Sequence, residues 1–491
     1  MPDYITAKKY ATLVVAASDS TATGKSTAEY VCSGVSDQVD INNAINALPA
    51  QGGKVLLLEG TYIVDAAITL LSNVILEGQG ISTKIKIKDN LNAAINVITN
   101  SDQVSGNTNI EVCRLSVDGN KANNSAGTQR GVYFVKVTYS IITEIKSFDC
   151  RSMAIGLSES TNNIISNCIC LTSGDEGISL YTSSNYNTVT GNIANDAVNQ
   201  GIILNTSSNY NTISGNVCKN NLNDNIRVNQ SNGNIIIGNV CQGGSRHGIQ
   251  NVLANYNTIA GNTVQGAARY GIVIASSSHN TVNANICIEN SQEIHNTYSN
   301  IIVTDNAVTY STYNNIHGNL CRQGALANKP QFGLVVGSGS NYNIVKDNDL
   351  YDSGATANFS DAATGTGGAV IAATWHKDIT LVDIGTAFVN IYPGVNGEAQ
   401  QVNFTGYNKY NLIAHVNKVG TGTQSWRLED AANSANYLQL DDAGAAGEHE
   451  LSNLNVNLPS WAVGTINLIP KGSSTVAGDD PVFRRFVLML K

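Results

Sequence analysis

The sequence predicts an all-β chain, a right-handed parallel β-helix with a separate β-rich domain at its C-terminus. Three observations support this prediction. The chain repeats itself every 23 to 24 residues, which is typical of one coil of a solenoid. Each repeat carries short apolar strands separated by polar turns. From Trp375 onward the repeat disappears, and alternating polar and apolar residues follow, as expected of a different β-domain.

The composition agrees with a chain rich in strands and turns. The 491 residues include 45 glycines and many Asn, Ser, Thr, Val and Ile residues, while only 13% are charged. β-branched residues favour strands, and Asn, Ser and Gly favour turns. A chain of this length exceeds what one core supports, so we expect more than one structural unit.

The repeat is clearest in the middle of the chain. Its blocks begin at Gly131, Ala154, Gly177, Gly201, Asn225, Gly248 and Gly271. A block opens with an apolar strand such as GIILN, continues through a turn such as SSNYNT, and ends a second strand at an asparagine. These asparagines are Asn167, Asn192, Asn216, Asn239, Asn262 and Asn285. Because stacked strands lie about 4.8 Å apart, we expect the asparagines to form a hydrogen-bonded ladder.

The nine cysteines include no CxxC pair. Five of them recur at nearly the same phase of the repeat, namely Cys170, Cys218, Cys241, Cys287 and Cys321. This spacing predicts a buried column of free thiols and does not resemble a disulfide framework or a metal site.

The start of the repeat is preceded by a helical pattern. In DQVDINNAINALP the residues Ile41, Ala44, Ile45 and Leu48 recur with helical spacing, which predicts an amphipathic helix that caps the open end of the coils. The predicted organisation is an N-terminal segment with this helix at 1–53, about twelve β-helical coils at 54–354, a linker at 355–370, and a β-sandwich for carbohydrate binding or oligomerisation at 371–491.

The charge of the chain excludes one class of partner. A net charge of −9 argues against nucleic acid, which requires a basic surface. No apolar run is long enough for a membrane span, and Met1 to Tyr10 show no signal peptide. We therefore expect neither nucleic acid nor a membrane as a partner, whereas a local arginine cluster would still allow an acidic polysaccharide partner.

The run from Ser36 to Gly80, with GGKVLLLEGTY and SNVILEGQG, resembles the N-terminal segment of the pectate-lyase-like β-helix superfamily, which includes phage tailspikes. The resemblance extends more loosely to Asn348. It implies a carbohydrate-active fold that occurs in lyases, hydrolases, epimerases and non-catalytic adhesins. It also implies an extracellular or virion-associated location and a homotrimer.

A functional site is predicted where charged and aromatic residues interrupt the repeat, at the positions beside the start of each block. The catalytic candidates are His247, Tyr270, Glu176, Asp224 and Arg227. The substrate-binding candidates are Asp175, Arg246, Arg269, Gln250 and Tyr181. We expect these side chains to point to solvent on adjacent coils.

Two mechanisms fit these residues. In elimination, His247 or Tyr270 moves a proton at C5 of a uronate, and arginines such as Arg227 neutralise its carboxylate. The grouping resembles that of alginate lyases and epimerases with this fold. In hydrolysis, Glu176 and Asp224, two coils apart, form the carboxylate pair of an inverting glycosidase. The alternative to both is a non-catalytic polysaccharide-binding adhesin or tailspike-like rod.

No cofactor and no metal ligand set are predicted. Ca²⁺ stays open, without a GGxGxD motif to support it. A tyrosine column lies on the opposite edge of the repeat, at Tyr186, Tyr210, Tyr256 and Tyr342. An aromatic ladder and a sugar-stacking surface are both compatible with this column.

Overall fold

The structure is a computed structural model that describes residues 12–305 and 310–363 and, between 370 and 490, mainly the backbone of the strands. The chain divides into two compact units, residues 1–257 and 258–491, and each is described by itself. Both contain parallel β-helical coils, as the sequence predicts. No helix in the described residues is long and apolar enough to cross a membrane.

The first unit begins with a small capping region. Strand Thr12–Ala16 pairs in parallel with Tyr30–Val31 and with Gly53–Leu57. The helix Ala22–Thr27 connects the first two of these strands. The predicted capping helix is confirmed as Gln38–Ala47, and it buries the apolar residues Ile41, Ala44 and Ile45.

Each regular coil of the first unit contributes one strand to a sheet that we call the flank sheet. Its strands run parallel and are Ile68–Leu70, Ile95–Asn100, Gln129–Val135, Ile155–Ser158, Ile178–Tyr181, Ile202–Asn205, Ile226–Asn229 and Ile249–Val252. Position-for-position pairing stacks Ile178, Ile202 and Ile226 in one row, all fully buried. Burying each such side chain contributes about 1.5–3 kcal/mol.

A second sheet, the corner sheet, receives the other strands of each coil. Beside Thr12–Ala16, Tyr30–Val31 and Gly53–Leu57 it contains Gly60–Val64, Val74–Glu77, Thr83–Ile87, Glu111–Asp118, Ile141–Phe148, Ile164–Ser166, Ile169–Leu171, Thr188–Thr190, Ile193–Asn195, Thr212–Ser214, Val217–Lys219, Ile235–Ile237 and Val240–Gln242. A short parallel pair, Asn107–Thr108 with Val137–Thr138, and the 3-10 helix Lys121–Asn123 lie outside both sheets.

The predicted asparagine ladder is confirmed at the bend between the two corner strands of each coil. Asn216 donates from its backbone N and its Nδ2 to Oδ1 of Asn239, both at 2.9 Å, and its own Oδ1 accepts the matching pair from Asn192. The Nδ2 group also reaches the carbonyl of Val189 at 2.9 Å. Every polar atom of this fully buried amide is therefore satisfied.

The predicted thiol column is confirmed as well. All nine cysteines are free and buried. Cys218 pairs in register with Cys241, and Cys287 with Cys321. Burial raises the pKa of Cys218 well above its usual range, so this thiol remains protonated and packs as a small apolar group.

The second unit repeats the coil pattern. Its corner strands are Thr258–Ala260, Thr263–Gln265, Thr281–Asn283, Ile286–Ile288, Asn315–His317, Leu320–Arg322 and Ile344–Lys346. Its flank strands are Ile272–Ala275, Ile301–Thr304, Phe332–Val336 and Ala357–Asp361. The last strand lies within the segment predicted as a linker and pairs in parallel with Phe332–Val336.

The C-terminal strands are antiparallel. They are Val370–Thr380, Val389–Asn390, Gln400–Asn403, Lys409–Lys418, Gln424–Asp430, Asn433–Asp442, Gly447–Asn457, Thr465–Ser474 and Val482–Leu490. They form two separate sheets, ordered around Val482–Leu490 and around Thr465–Ser474. The face-to-face packing that a sandwich requires rests mainly on side chains outside the described residues, so the sandwich stays a prediction.

Candidate functional site

The sequence candidates of the first unit lie on or next to the turns that enter the flank sheet. We call these the entry turns, residues 172–176, 196–200, 220–224 and 243–247. The last residue of each turn is Glu176, Gln200, Asp224 and His247, with exposures of 2%, 2%, 0% and 5%. The expectation that Glu176, Asp224 and His247 point to solvent is therefore wrong.

Their burial has a simple cause. The last residues of the entry turns already belong to the stacked backbone ladder. The N–H of Gly177 donates to the carbonyl of Gln200 at 3.0 Å, and the N–H of Asn225 donates to that of His247 at 3.0 Å. Because the side chains are stacked at the spacing of adjacent strands, each coil covers the residue of its neighbour. Gln250, predicted to bind substrate on the outward strand face, is also buried, at 6% exposure.

The residue before the last one of each entry turn is half-buried. Together these residues form a polar column. Asn199 donates from Nδ2 to Asp175 Oδ1 at 3.2 Å, and Asn223 donates to Asn199 Oδ1 at 2.9 Å. Arg246 continues the column by donating from Nη1 to Asn223 Oδ1 at 3.1 Å. Asp175, an anion, thus lies at one end of the column, and Arg246, a cation, lies three coils away at the other.

Glu176 and Tyr181 form a hydrogen-bonded pair. The Tyr181 hydroxyl donates to Glu176 Oε1 at 2.8 Å. Burial, and secondly the charge of Asp175, raises the pKa of Glu176 to about 7. The same burial, together with the negative charge of Glu176, raises the pKa of Tyr181 above its usual range. Glu176 is therefore placed to exchange a proton near neutral pH, and Tyr181 is its hydrogen-bonded contact toward the surface.

Arg227 lies on the flank strand two residues into its coil. Its pKa is lowered chiefly by burial, and the charge of Asp224 opposes this effect while Arg246 adds to it. Register places it in one row with Ser179, Ile203 and Gln250. A half-buried guanidinium beside further polar groups on a strand face is suited to bind a carboxylate.

Asp224 and His247 are tied into the turn itself. Asp224 accepts a hydrogen bond from the backbone N of His247 at 3.3 Å, and its other oxygen lies 3.5 Å from Arg246 Nη1. The Asp224 side chain is fully buried. These contacts give Asp224 a role in holding the entry turn and orienting Arg246.

Arg269 and Tyr270 belong to the second unit. Arg269 donates from Nε to Glu293 Oε2 at 2.8 Å, and the Tyr270 ring meets Tyr298 edge-on at 5.0 Å. Burial raises the pKa of Tyr270. The grouping of Tyr270 with His247 stays a prediction.

Several buried polar atoms around the entry turns have no hydrogen-bond partner among the described residues. They are Glu176 Oε2, Ser179 Oγ, Gln200 Oε1, Arg227 Nε and Gln250 Oε1. Ser179, Gln200 and Asn199 were not chosen as site residues from the sequence. They occupy the same positions of the repeat as the predicted site residues of neighbouring coils, and this equivalence could have identified them.

Fold and site together define a parallel β-helix with a polar column along the turns that enter its flank sheet. Residues 60–223 and 194–364 match the family described as periplasmic copper-binding protein (NosD). These matches cover more than half of the chain, which therefore belongs to the NosD family. No curated protein sequence matches the chain.

Two solved structures show the same fold. The A-module of the Azotobacter vinelandii mannuronan C-5 epimerase AlgE4 has 19% identity and a TM-score of 0.57, over 68% of this chain and 97% of that one. The Dettilon tailspike protein gp208 has 14% identity and a TM-score of 0.56, over 93% and 92% of the two chains. The superfamily prediction is thereby confirmed for the fold.

The described residues do not fit a copper ion. Copper favours Cys, Met or His ligands, and no group of three or more His, Cys, Asp or Glu side chains in the described part of the chain could hold a metal. Within the cysteine column, burial raises the pKa of Cys218 and of Cys241, which disfavours the thiolate that binds a metal.

Proposed function

We propose that the chain binds an acidic polysaccharide along the entry turns and modifies it by proton transfer at C5 of a uronate. The observation that carries this proposal is the set of unpartnered polar atoms there, in particular Glu176 Oε2, Arg227 Nε and Gln250 Oε1. Leaving a buried polar atom unpaired costs about 1–3 kcal/mol. Several such atoms on neighbouring coils favour a surface that a polar ligand completes.

The first step is capture of the carboxylate. Arg227 and Arg246 are half-buried, and Arg246 lies close enough to Arg227 for its charge to help lower the pKa of Arg227, after burial. A guanidinium binds a carboxylate through two parallel hydrogen bonds, and exclusion of water strengthens the attraction. A neutralised carboxylate makes the neighbouring C5–H bond more acidic, which prepares the substrate for proton removal.

The second step is proton removal. The phenolic oxygen of Tyr181 takes the C5 proton while its own proton passes to Glu176, 2.8 Å away. If the C4–O4 bond then breaks and the leaving O4 takes up the proton held between Tyr181 and Glu176, the chain is cleaved by elimination. If a proton returns to the opposite face of C5, the uronate is epimerised. The fold of a mannuronan C-5 epimerase is compatible with either outcome.

Hydrolysis by Glu176 and Asp224 has less support. An inverting glycosidase needs a carboxylate that activates a water molecule beside the sugar. The Asp224 side chain is fully buried and already contacts Arg246 and the backbone of His247. We therefore favour elimination or epimerisation over hydrolysis.

Binding without chemistry is the second candidate function. Glu176 is only 2% exposed, so a polymer would reach it only through Tyr181, and the same arginines would hold the polymer without any reaction. The name of the NosD family also describes a binding protein. This candidate predicts uronan binding with no change in the polymer.

We further propose an extracytoplasmic location, which the periplasmic description of the family supports, and a homotrimer held by residues 371–491. Light scattering on the full chain tests the assembly. A mass three times that of the chain is expected, and a monomer at micromolar concentration would contradict the trimer.

The experiment that tests the function uses alginate, polygalacturonate and neutral glucans with the wild-type chain and Arg227→Gln. Binding is read by affinity electrophoresis, cleavage by the ultraviolet absorbance of unsaturated uronates, and epimerisation by proton NMR. We expect the wild-type chain to bind uronans specifically and to convert them into unsaturated or epimerised products. Arg227→Gln should weaken this binding. Reducing ends without absorbance or epimerisation would establish hydrolysis instead. Binding alone would establish the second candidate.

A further inference from the structure

A second row of unusual residues lies on the turns that leave the flank sheet. We call these the exit turns, residues 182–187, 206–211, 230–234 and 253–257. Successive turns stack through backbone hydrogen bonds, from Tyr186 N to Asn209 O at 3.2 Å, from Tyr210 N to Asn232 O at 3.0 Å and from Gly233 N to Asn255 O at 3.0 Å. Tyr186, Tyr210, Gly233 and Tyr256 therefore occupy one equivalent position.

The backbone at this position does not favour tyrosine. Its φ is +58° at Tyr186, Tyr210 and Tyr256 and +66° at Gly233, the left-handed region that Gly and Asn adopt readily and bulky residues do not. Two earlier coils carry Asn109 and Asn162 there, with φ of +56° and +60°. The turn can therefore form without an aromatic side chain.

The rings are also exposed. Tyr186, Tyr210 and Tyr256 are 58%, 56% and 65% exposed. Tyr186 and Tyr210 stack with ring centroids 5.2 Å apart and planes 12° apart. Stacking between rings does not explain every tyrosine at this position. Tyr139 is 66% exposed there, and the equivalent residue of the following coil is Asn162, which has no ring.

Gly233 interrupts the column of rings. A Cβ atom there would lie 2.6 Å from Cε1 of Tyr210, so the Tyr210 ring lies against the glycine backbone. One face of Tyr210 is covered by Tyr186, and the other is turned toward the coil that lacks a ring. No aromatic ring follows Tyr210 at Gly233, and we call this interruption of the column, between Tyr210 and Tyr256, the notch.

Amide donors lie beside the rings. Asn209 accepts from the backbone N of Asn232 at 2.6 Å, and Asn185 accepts from that of Asn209 at 2.6 Å. These contacts use the side-chain oxygens. The Nδ2 groups of Asn209 and Asn232 have no partner in the described part of the chain, and both side chains are half-exposed. The exit turns contain no charged residue, unlike the entry turns.

We propose that the exit turns form a second glycan-binding surface, which holds a neutral polysaccharide by packing a pyranose ring against Tyr210 in the notch at Gly233. The C–H face of a sugar carries partial positive charge and packs on the negative face of an aromatic ring. The free amides of Asn209 and Asn232 donate to its hydroxyl groups. Tyrosine and asparagine together provide rigid contact area and adaptable hydrogen bonding. This surface is independent of the uronan chemistry proposed for the entry turns.

The test is affinity electrophoresis of the full chain in gels that contain hydroxyethylcellulose, laminarin or galactomannan. The variants are the double change Tyr186→Asn and Tyr210→Asn, with Tyr139→Asn as the matched control. Asparagine preserves the backbone conformation, because it already occupies this position in two coils. We expect wild type and Tyr139→Asn to be retarded by at least one glycan, and the double variant to bind it about tenfold or more weakly.

A second variant, Gly233→Asn, tests the notch itself. Its side chain displaces the Tyr210 ring, so binding should fall while all three tyrosines remain. Three results would overturn the proposal: no retardation of wild type by any of the three glycans, equal retardation of the double variant, or an equal loss with Tyr139→Asn. Unchanged melting temperatures of the variants establish that any loss is local.

Discussion

The asparagine ladder and the entry turns show two uses of buried polar side chains in the same repeat. Asn216 is fully buried, and its backbone and side chain make hydrogen bonds to the coils on both sides. The entry turns bury Glu176 and Gln200 just as deeply, yet each keeps an oxygen without a partner among the described residues.

This contrast distinguishes two kinds of buried polar side chain in a solenoid, those that stabilise the fold and those that belong to a candidate site. Where one residue type recurs at a phase, each side chain satisfies the next, and the repeat stabilises itself. At the last position of the entry turns the residue type changes from Glu176 to Gln200 to Asp224, and a regular ladder of one residue type cannot form there. Polar atoms are then left for a ligand or for chemistry.

The largest effect that would test this distinction is on catalysis. Tyr181→Phe removes the hydroxyl that contacts Glu176 and should lower the rate on a uronan by about 10²–10⁴-fold. Uronan binding, measured by affinity electrophoresis, should change little, because the arginines remain. An unchanged rate on a confirmed substrate would remove Tyr181 from the mechanism.

The ladder predicts the largest effect on stability. Asn216→Leu leaves the carbonyl of Val189 and the amide of Asn192 without their partners, at a cost of about 3 kcal/mol. A thermal melt should show a clearly lower midpoint. Thr212→Val, a change on the half-exposed strand beside it, is the control and should have little effect. A melt of Asn216→Leu equal to wild type would mean that the ladder contributes nothing.

Glu176 predicts a pH dependence of stability. Its folded pKa of about 7 lies above the ordinary glutamate value of 4.5, so the folded chain binds this proton more tightly than the unfolded chain does. The contribution of Glu176 to stability is therefore most favourable below about pH 4.5 and declines as pH rises through 7, by on the order of 3 kcal/mol.

Glu176→Gln should remove this decline and melt higher than wild type at pH 8. Glu289 is the matched control, because hydrogen bonds from Gln265 and then from the backbone of Ala325 lower its pKa. Glu289→Gln should therefore lose stability at neutral pH. If both variants respond in the same direction, the burial of Glu176 does not act as described.

The smallest effect is expected at the rim of the site. Arg246→Gln keeps a side-chain N–H donor but removes a half-exposed positive charge that contacts Asn223 and Asp224. Uronan binding should weaken about tenfold, with a smaller dependence on salt than in wild type. Neutral glycans should bind equally well before and after the change.

The sequence predicts the fold well because a solenoid converts periodicity directly into stacking. The block starts, the asparagine ladder and the thiol column all follow from spacing alone. The strand pairing of Thr12–Ala16 with Gly53–Leu57 lies outside the repeat and could not be read from it.

The site is only partly predictable. The spacing of the repeat indicates that Glu176, Asp224 and His247 lie on the same edge. It does not indicate that they are buried, because burial depends on which side chains the neighbouring coils stack on them. The pair of Glu176 with Tyr181 joins a turn to the end of the following strand. This contact depends on side-chain conformation, which the repeat does not encode.

The proposed proton transfer at C5 of a uronate on the entry turns can be tested by following exchange of the C5 hydrogen with solvent. Alginate or polygalacturonate is incubated in deuterated water with wild type and with Tyr181→Phe, and deuterium at C5 is measured by NMR and mass spectrometry. With wild type we expect deuterium at C5, or an unsaturated product formed by loss of the C5 proton. With Tyr181→Phe the rate of either reaction should be at least about 10²-fold lower. Uronan bound by the wild type with no exchange and no elimination would contradict the proposed proton transfer.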